Sequence, residues 1–431
     1  MSDVRAVALQ PVPAADRDHF DWTSHPPLAA IMAALGKGEA MFVGGCVRDS
    51  LLGTPPVPGA SDTPTDIDIA TTLRPEATVA ALEAAGIKAI PTGIEHGTIT
   101  AVAKGFVAEI TTLRADIDTD GRRAEVAFTT DWDEDWRRRD FTVNALYLTA
   151  DRQLFDPAGG LAALDRQAVE FIGEPAARIE EDFLRILRFY RFSARYAADL
   201  DGAGRAACRD LRDGLDRISR ERIGQEMMKI LGGPRRAFIL EVMAEDGILP
   251  MIEGSQPDLA AVRALGDQPA IPAPEVVLAA LWPGAAPGAI ARALRLSKAQ
   301  DARRKAALSA AASIDSLPEE RRARRLLYHF GTDAYRDGLS LVAARAGEAA
   351  EADPEAWLAA FAYADNWPVP VLPLAARDFR ALGLEPGPVL GVALKVAEAA
   401  WIEQDFPMDA PAIAAIRDAA VAAARTQASS G

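Results

Sequence analysis

The sequence predicts an α+β head followed by a long all-α body. Up to about residue 150, short apolar strand patterns mix with a few helices, without the regular alternation of a doubly wound sheet. Beyond that point Ala, Leu, Arg and Glu recur at helical spacing, and stretches rich in Pro and Gly divide the chain into helical groups. A chain of 431 residues is also too long for one ordinary core, so at least two domains are expected.

The elements of the head follow from apolar runs and their breakers. Helices are predicted over 28–35, 47–52 and 75–85, and strands over 39–43, 66–70, 98–103, 106–112 and 125–129. Prolines predict a connecting loop over 54–65. The predicted division is a leader over 1–26, a head over 27–150, a helical segment over 151–230 and a helical body over 231–431.

Composition excludes several classes of protein. The net charge of −15 opposes indiscriminate binding to nucleic acid but leaves room for a local basic groove. Two cysteines cannot form a disulfide framework, and neither has a neighbour at zinc-ligand spacing. The N-terminus does not resemble a signal peptide, and the longest uncharged stretch, 276–291, contains two prolines and is too short to span a bilayer. We therefore expect a cytoplasmic protein without a membrane partner.

A glycine pair followed by an arginine stands between the first predicted strand and the next helix, in the run GGCVRD over 44–49. Glycine allows the backbone to approach a ligand closely, and a helix N-terminus favours anions. Gly45 and Arg48 are therefore candidates for binding a phosphate. The alternative is a tight strand-to-helix turn with a surface arginine.

Two carboxylates alternate in the next predicted strand. Asp66 and Asp68 have strand spacing, so their side chains point to the same side, where a shared Mg²⁺ would neutralise them. Glu109, in a later strand, is a candidate for a third carboxylate. A phosphate site beside paired carboxylates suits metal-assisted transfer of a nucleotidyl group. The alternatives are an exposed edge strand for the aspartates and a lone solvent-facing side chain for Glu109.

Two arginine-rich segments follow. Three consecutive arginines, 137–139, could bind a triphosphate, and the polar side chains of the following segment, which includes Asp140 and Asn144, could bind a ribose. The alternative is that the arginines pair with the acidic residues of 131–135. A helix is predicted over 181–192, on which Asp182, Arg185 and Arg188 follow one side. A carboxylate beside an arginine offers an acceptor and donors to a base edge. The alternative is an amphipathic helix with local ion pairs, but its arginines outnumber the nearby acids, which favours a phosphate or base partner.

The motifs GGCVRD, DID, RRDFTVNA, DPAGGLAALD and EDFLRILRFYRF occur in this order between about residues 40 and 200. Together they resemble the class II tRNA nucleotidyltransferase family, which includes CCA-adding enzymes and bacterial poly(A) polymerases. The segment 112–144 and the RILRFYRF helix look closer to CCA-adding members. The resemblance implies a nucleotidyltransferase head with a small mixed sheet, followed by an all-α neck, body and tail.

The resemblance also implies roles for individual residues. Asp66 and Asp68 would bind catalytic Mg²⁺, with Glu109 as the third carboxylate. Asp182 and Arg185 would select CTP or ATP by their base edges. Gly45 and Arg48 would hold the phosphates of the incoming nucleotide. Arg139 would contact the nucleotide, with Asp140 and Asn144 near its sugar. Arg188 and Arg191 would support the triphosphate and the helix that selects the base. Residues 156–165 would form a hinge between C and A addition.

The implied activity is addition of C, C and A to the 3′ end of tRNA from CTP and ATP, without a nucleic-acid template and without DNA as a partner. A poly(A) polymerase and a catalytically inactive RNA-binding module are the alternatives. The proline-rich stretch 54–65 is an insertion relative to the family pattern and predicts a surface loop. None of the four histidines is followed by Asp, so the His-Asp phosphohydrolase domain of some relatives is not expected.

Overall fold

The structure, a computed structural model, describes residues 17–56, 67–104, 106–116, 126–266, 273–347 and 353–429. Asp66 and most of the predicted loop 54–65 lie outside the described residues. The chain divides into two compact units, Met1–Glu226 with Glu245–Met251, and Met227–Ala244 with Ile252–Gly431. Every candidate residue that the structure describes belongs to the first unit.

The first unit begins with a seven-stranded mixed sheet, which confirms the predicted α+β head. Its strand order is β3-β4-β5-β2-β1-β8-β9, and among the pairings of the described residues only that of β2 with β5 is parallel. In β4 and β5 alternate side chains are buried, as expected for strands with one face on the core. The strands are β1 Ala40–Val43, β2 Asp68–Thr71, β3 Lys88–Gly93, β4 Thr98–Ala103, β5 Phe106–Thr112, β8 Tyr147–Leu148 and β9 Leu154–Phe155, and a separate ribbon pairs β6 Arg114–Asp116 with β7 Val126–Phe128.

Four helices accompany this sheet: α1 Pro26–Leu35, α2 Gly45–Leu51, α3 Pro75–Ala84 and α4 Trp132–Arg137. Part of the predicted leader is also folded, because Arg17–Ser24 forms a 3₁₀ helix in which Phe20 and Trp22 are buried. Strand β3 is not among the strands predicted from the sequence. Among the described strands it pairs only with β4, none of its six residues is buried and it contains a proline, so it lacks an alternating apolar pattern.

The rest of the first unit is largely helical. Its helices are α5 Gly160–Asp165, α6 Pro175–Glu181, α7 Leu184–Tyr196 and α8 Gly202–Asp210, with a 3₁₀ helix over Arg212–Arg217, and α9 Arg220–Leu231 begins in this unit and ends in the second. The prediction of one helix over 181–192 was wrong at its start. Asp182 has an extended backbone (φ −154°, ψ 102°) between α6 and α7. Its carboxylate accepts the backbone N–H of Leu184 at 3.1 Å, the local bond by which Asp favours helix starts over helix interiors.

All the regular secondary structure in the described part of the second unit is helical. Its buried core includes Tyr335, Phe379 and Trp401, which are fully enclosed by apolar neighbours. Among the described helices none is long and apolar enough to cross a membrane. The helices are Leu259–Leu265, Pro274–Leu281, Ala289–Ala293, Lys298–Ala312, Glu320–Phe330, Thr332–Ala346, Pro354–Asn366, Ala376–Arg380, Pro388–Glu403 and Ala410–Ser429, while Arg236–Glu245 and Leu249–Ile252 lie where the chain passes from one unit to the other.

Candidate active site

Two of the predicted carboxylates lie side by side on the sheet of the head. Asp68 opens β2, and Glu109 is its register partner on the parallel strand β5. The backbone N–H of Glu109 donates to the carbonyl of Ile67 at 2.8 Å, which fixes this register. Residues in register on parallel strands point to the same face of a sheet. Asp68 is half-buried and Glu109 exposed, so this face places two carboxylates where a ligand can reach them.

These carboxylates fit the donor set of a hard divalent cation, because carboxylate oxygens are the ligands that Mg²⁺ prefers. Within the described residues no group of three or more His, Cys, Asp and Glu side chains could by itself hold a metal ion. Asp66, the third predicted ligand, lies outside those residues. The structure therefore brings together Asp68 and Glu109 and leaves the place of Asp66 as a prediction.

The glycine pair forms the junction between β1 and α2. Gly44 has a left-handed backbone (φ +72°), which favours glycine, and α2 begins at Gly45. Cys46 in the first turn is buried, and its Sγ lies 3.8 Å from the carbonyl oxygen of Asp68. Burial, reinforced by Asp68, raises the pKa of the Cys46 thiol to about 12, so the thiol is protonated at neutral pH. The glycine turn thus brings α2 against the strand that carries Asp68.

Arg48 is buried rather than at the surface, with 5% of the residue exposed. Its Nη1 donates to the side-chain oxygen of Asn144 at 2.5 Å, and its Nη2 donates to the hydroxyl of Tyr196 at 2.5 Å. Its Nε donates to Asp49 at 2.8 Å, and its Cζ lies 4.0 Å from the centre of the Tyr196 ring. The guanidinium therefore ties α2 to the 3₁₀ helix Thr142–Asn144 and to α7. Tyr196 was not among the candidate residues predicted from the sequence.

A second buried charge continues this link between the sheet and α7. One carboxylate oxygen of Asp140 accepts a hydrogen bond from Nε of Arg188 at 2.7 Å. Its other oxygen accepts the side-chain amide of Asn144 and the backbone N–H of Phe141, each at 2.9 Å. Burial alone would raise the pKa of Asp140, but the attraction of Arg188 and these hydrogen bonds outweigh it and lower the pKa. The carboxylate is thus ionised, and Asn144 is bonded to both Arg48 and Asp140.

The three consecutive arginines mostly find protein partners. Arg138 and Arg139 both donate to Asp135, with closest distances of 2.5 and 2.8 Å. The Tyr147 hydroxyl also donates to Asp135 at 2.9 Å, and Asp135 is only 1% exposed. We call these four residues the Asp135 cluster. For Arg138 and Arg139 the structure shows the predicted alternative, pairing with an upstream acid, while Arg137 is exposed and 3.7 Å from Asp133.

The arginines of α7 are paired with carboxylates from separate parts of the chain. Arg188 pairs with Asp140, and Arg191 donates to Glu226 at 2.6 Å. Arg195 lies 3.6 Å from Asp49. The excess of positive charge inferred from the local sequence is therefore offset by residues that are distant in the chain.

Asp182 and Arg185, the predicted base-selecting pair, lie at the start of α7. Arg185 donates to Glu181 at 2.5 Å and to the backbone carbonyls of residues 178 and 138 at 2.7 and 2.8 Å. The carboxylate oxygen of Asp182 that does not bond to Leu184 accepts a hydrogen bond from Nη2 of Arg222 at 2.7 Å. Both side chains are held by several contacts, and Arg222 is a neighbour that sequence analysis missed.

The predicted hinge over 156–165 is a short turn followed by α5. Both carboxylate oxygens of Asp156 accept backbone N–H groups, from Gly160 at 2.6 Å and from Leu161 at 2.9 Å. A Cβ on Gly160 would lie 2.5 Å from the carbonyl oxygen of Thr142, so only glycine fits here without a shift. The start of α5 therefore packs directly on the 3₁₀ helix that carries Asn144.

Comparison with known proteins identifies the head and the region after it. Residues 40–170 match the family model of the poly A polymerase head domain, and residues 199–261 match that of a probable RNA and SrmB-binding site of polymerase A. A crystal structure of the Bacillus stearothermophilus CCA-adding enzyme in complex with CTP superimposes with a TM-score of 0.74 at 28% identity, covering 94% of this chain and 99% of that one.

Sequence relatives agree with the structural match. The mitochondrial CCA tRNA nucleotidyltransferase 1 of Danio rerio is 42% identical over 214 residues, and the chain spans about half the length of that relative, 48%. The CCA-adding enzyme of Streptococcus gordonii is 34% identical over 384 residues, which are 87% of this chain and 92% of the relative. This similarity extends far beyond the head and the recognised motifs. The chain therefore belongs to the family of CCA-adding enzymes, nucleotidyltransferases with a poly(A) polymerase type of head.

Proposed function

We propose that this protein adds C, C and A to the 3′ end of tRNA, using CTP and ATP and no nucleic-acid template. The observation that carries the proposal is the pairing of Asp68 and Glu109 on adjacent parallel strands of a nucleotidyltransferase head. Asp182 and Arg185, a carboxylate and a guanidinium suited to a base edge, lie in the same compact unit. Similarity to the Streptococcus gordonii CCA-adding enzyme over most of both chains supports this product over others.

Nucleotidyltransferases of this family are generally metal-dependent. We propose Mg²⁺ as the metal, held by Asp66 and Asp68 with Glu109 as the third carboxylate. When bound, Mg²⁺ supplies positive charge against the phosphate oxygens and lowers the pKa of a coordinated hydroxyl. Two observations support this assignment: Asp68 is half-buried at the start of β2, and it is in register with Glu109. The carboxylates of both residues therefore face the same side of the sheet.

In the proposed reaction, the RNA 3′-hydroxyl gives up its proton to water and its oxygen bonds to the α-phosphorus of CTP or ATP. The bond from the α-phosphorus to the oxygen that bridges it to the β-phosphate breaks, and pyrophosphate leaves with that oxygen. Gly45, Arg48 and Arg139 face the phosphates in this proposal. Arg48 also positions α2, since its guanidinium bonds to Asn144 and Tyr196. Arg188 on α7 donates to Asp140, and this bond holds α7 to the segment 140–144, which the proposal places beside the sugar.

Base selection is assigned to Asp182 and Arg185. A carboxylate accepts from an exocyclic amino group, whereas a guanidinium donates to a ring nitrogen or carbonyl of the base. To bind a base, Arg185 breaks its hydrogen bond to Glu181, the most exposed of its partners, and donates to the base instead. A base that lacks the matching groups leaves these polar side chains unpaired, which disfavours it strongly.

Replacing Asp182 or Arg185 with Ala is expected to reduce the preference for CTP over UTP, and for ATP over GTP, by about 10²-fold or more. Metal dependence is expected to stay that of the wild type, because neither residue is among the carboxylates assigned to the metal. The measurement is kcat/KM for each nucleotide on the same RNA. Arg195→Ala, an exposed arginine on the same helix, is the matched control and should keep the preference. Unchanged discrimination in both variants would remove the base-selecting role.

The sequence of the added tail tests the proposed product. Incubation with tRNA that lacks its CCA end, with CTP and ATP supplied separately and together, should give addition that stops after three nucleotides only when both are present. Long A tracts from ATP alone would instead identify a poly(A) polymerase, the function in the name of the matched head model. RNA binding without any incorporation would identify an inactive RNA-binding module.

The proposal assigns catalysis to residues 27–150, nucleotide selection to the neck over 151–230 and tRNA binding to the body over 231–431. The match of residues 199–261 to a probable RNA-binding segment supports an RNA partner for the helical part of the chain. A cytoplasmic location, without a membrane or DNA partner, completes the proposal.

A further inference from the structure

The ring of Phe183 occupies space that a side chain at position 214 would fill. Phe183 separates the extended Asp182 from Leu184, the first residue of α7. A Cβ built on Gly214 would lie 1.8 Å from Cδ1 and 2.0 Å from Cε1 of this ring. Gly214 has no unusual positive φ, so its backbone conformation does not require glycine. What requires glycine is the close approach of Phe183.

The 3₁₀ helix Arg212–Arg217 also holds the ring from a second residue. The Cζ atom of Arg217 lies 5.2 Å from the ring centre, within the range of a cation–π contact. Leu215 is fully buried, which anchors the 3₁₀ helix in the first unit. Phe183 therefore packs against the buried part of this 3₁₀ helix, at Gly214 beside Leu215, and this contact constrains Asp182, its immediate neighbour.

A cavity borders this contact on its open side. It has a volume of about 450 Å³ and is lined by Phe183, Gly214 and Arg217, together with Glu180, Asp210, Leu211 and Asp213. A ring displaced from Gly214 has room to move into this space. An added methyl group at position 214 should therefore move Phe183 without unfolding the unit.

We propose that Gly214 is a specificity-determining positioning residue. It touches no substrate, but the absence of a side chain lets Phe183 pack against the 3₁₀ helix, and Phe183 in turn places the carboxylate of Asp182. The inference rests on the proposed function, in which Asp182 reads the base. Gly214→Ala forces the ring to retreat by about 1.5 Å or more to reach van der Waals contact. The adjoining Asp182 then loses its alignment with the base edge.

The test compares Gly214→Ala with Gly202→Ala. Gly202 opens α8 in the same unit and has nothing within 4 Å of an added Cβ, so it is a matched control. We expect Gly214→Ala to lower the preference for CTP over UTP and for ATP over GTP by about 10-fold to 100-fold, the size of effect that an ångström-scale misplacement can have. Equilibrium binding of CTP and UTP without RNA should show the same loss of preference. Gly202→Ala should match the wild type in both measurements.

Two further variants separate positioning from a general loss of structure. Phe183→Leu together with Gly214→Ala replaces the rigid ring with a smaller, flexible side chain, and should recover part of the preference lost in Gly214→Ala. If Gly214→Ala fails to fold, Phe183→Leu alone removes the ring contact without adding an atom, and should relax the preference in the same direction.

The outcomes also separate this inference from the proposed function. A wild-type protein that selects CTP and ATP, with folded Gly214→Ala and Phe183→Leu variants that select equally well, would overturn the role of Gly214 alone. A wild-type protein that adds no C or A would overturn the proposed function itself. Loss of selection in Gly214→Ala with wild-type behaviour in Gly202→Ala would support both.

Discussion

Replacing Asp66 and Asp68 together with Ala is expected to lower the rate of nucleotide incorporation by about 10³-fold or more. The variant loses two of the three carboxylates assigned to the metal, and a metal's stabilisation of phosphate charge in the transition state is worth several kcal/mol. RNA binding should remain close to that of the wild type, because the proposal assigns it to the helical part of the chain. Single-turnover incorporation and RNA binding by filter retention measure the two quantities separately.

Glu109 allows a sharper form of this experiment. Glu109→Ala removes the register partner of Asp68, while Glu83→Ala removes an exposed glutamate from α3 in the same head. We expect Glu109→Ala to slow incorporation and to raise the Mg²⁺ concentration needed for half-maximal rate, with Glu83→Ala unchanged. Wild-type incorporation by the Asp66/Asp68 double variant would contradict the metal assignment. An unchanged Mg²⁺ requirement in Glu109→Ala would remove Glu109 from the site.

Asp135→Asn is expected to destabilise the head by about 3–5 kcal/mol, because it leaves Arg138 and Arg139 partly buried without their common counter-charge. Both arginines are only 20% exposed, so solvent screens this loss weakly. Glu134→Gln, the exposed neighbour on α4, is the control and should change stability little. Since the chain has two compact units, hydrogen exchange of the backbone amides of α4 measures the local effect better than a single global unfolding curve.

The same cluster predicts a pH dependence. Burial alone would raise the pKa of Asp135, but Arg139 and then Arg138 outweigh burial and hold its pKa well below the usual range. A carboxyl with a lowered folded-state pKa stabilises the fold fully above its unfolded pKa of about 3.9, and this stabilisation is lost as pH falls through the folded value. The difference between wild type and Asp135→Asn should therefore shrink in strongly acidic solution. An equal difference at pH 7 and at pH 2 would contradict this account.

Local sequence predicted the parts of the head that depend on local chemistry. The strands β4 and β5 have alternating apolar residues, and the turn at Gly44 needs the left-handed backbone that glycine tolerates. The order of the motifs was enough to identify the family, which the comparisons confirmed. The edge strand β3 was not predicted, because its half-buried and exposed residues show no alternating apolar pattern.

The partners of the charged residues could not be predicted in the same way. The arginines of α7 were expected to leave excess positive charge, yet Asp140, Glu226 and Asp49 pair with three of them. Glu226 lies 35 residues from Arg191 in the sequence, Asp140 lies 48 residues from Arg188, and Asp49 belongs to α2, far from Arg195 in the chain. Sequence spacing describes neighbours along one element, whereas these contacts exist only once the head and neck have packed.

The fold class, the family and the residue types available for catalysis could be predicted from the chain's residues, since these depend on periodicity and on the order of short motifs. Which side chains meet became visible only in the folded protein. It placed Asp68 in register with Glu109, buried Arg48 against Asn144 and Tyr196, and set Phe183 against Gly214. The physical reason is that ion pairing and close packing act over a few ångströms, and only the folded chain brings residues distant in sequence within that range.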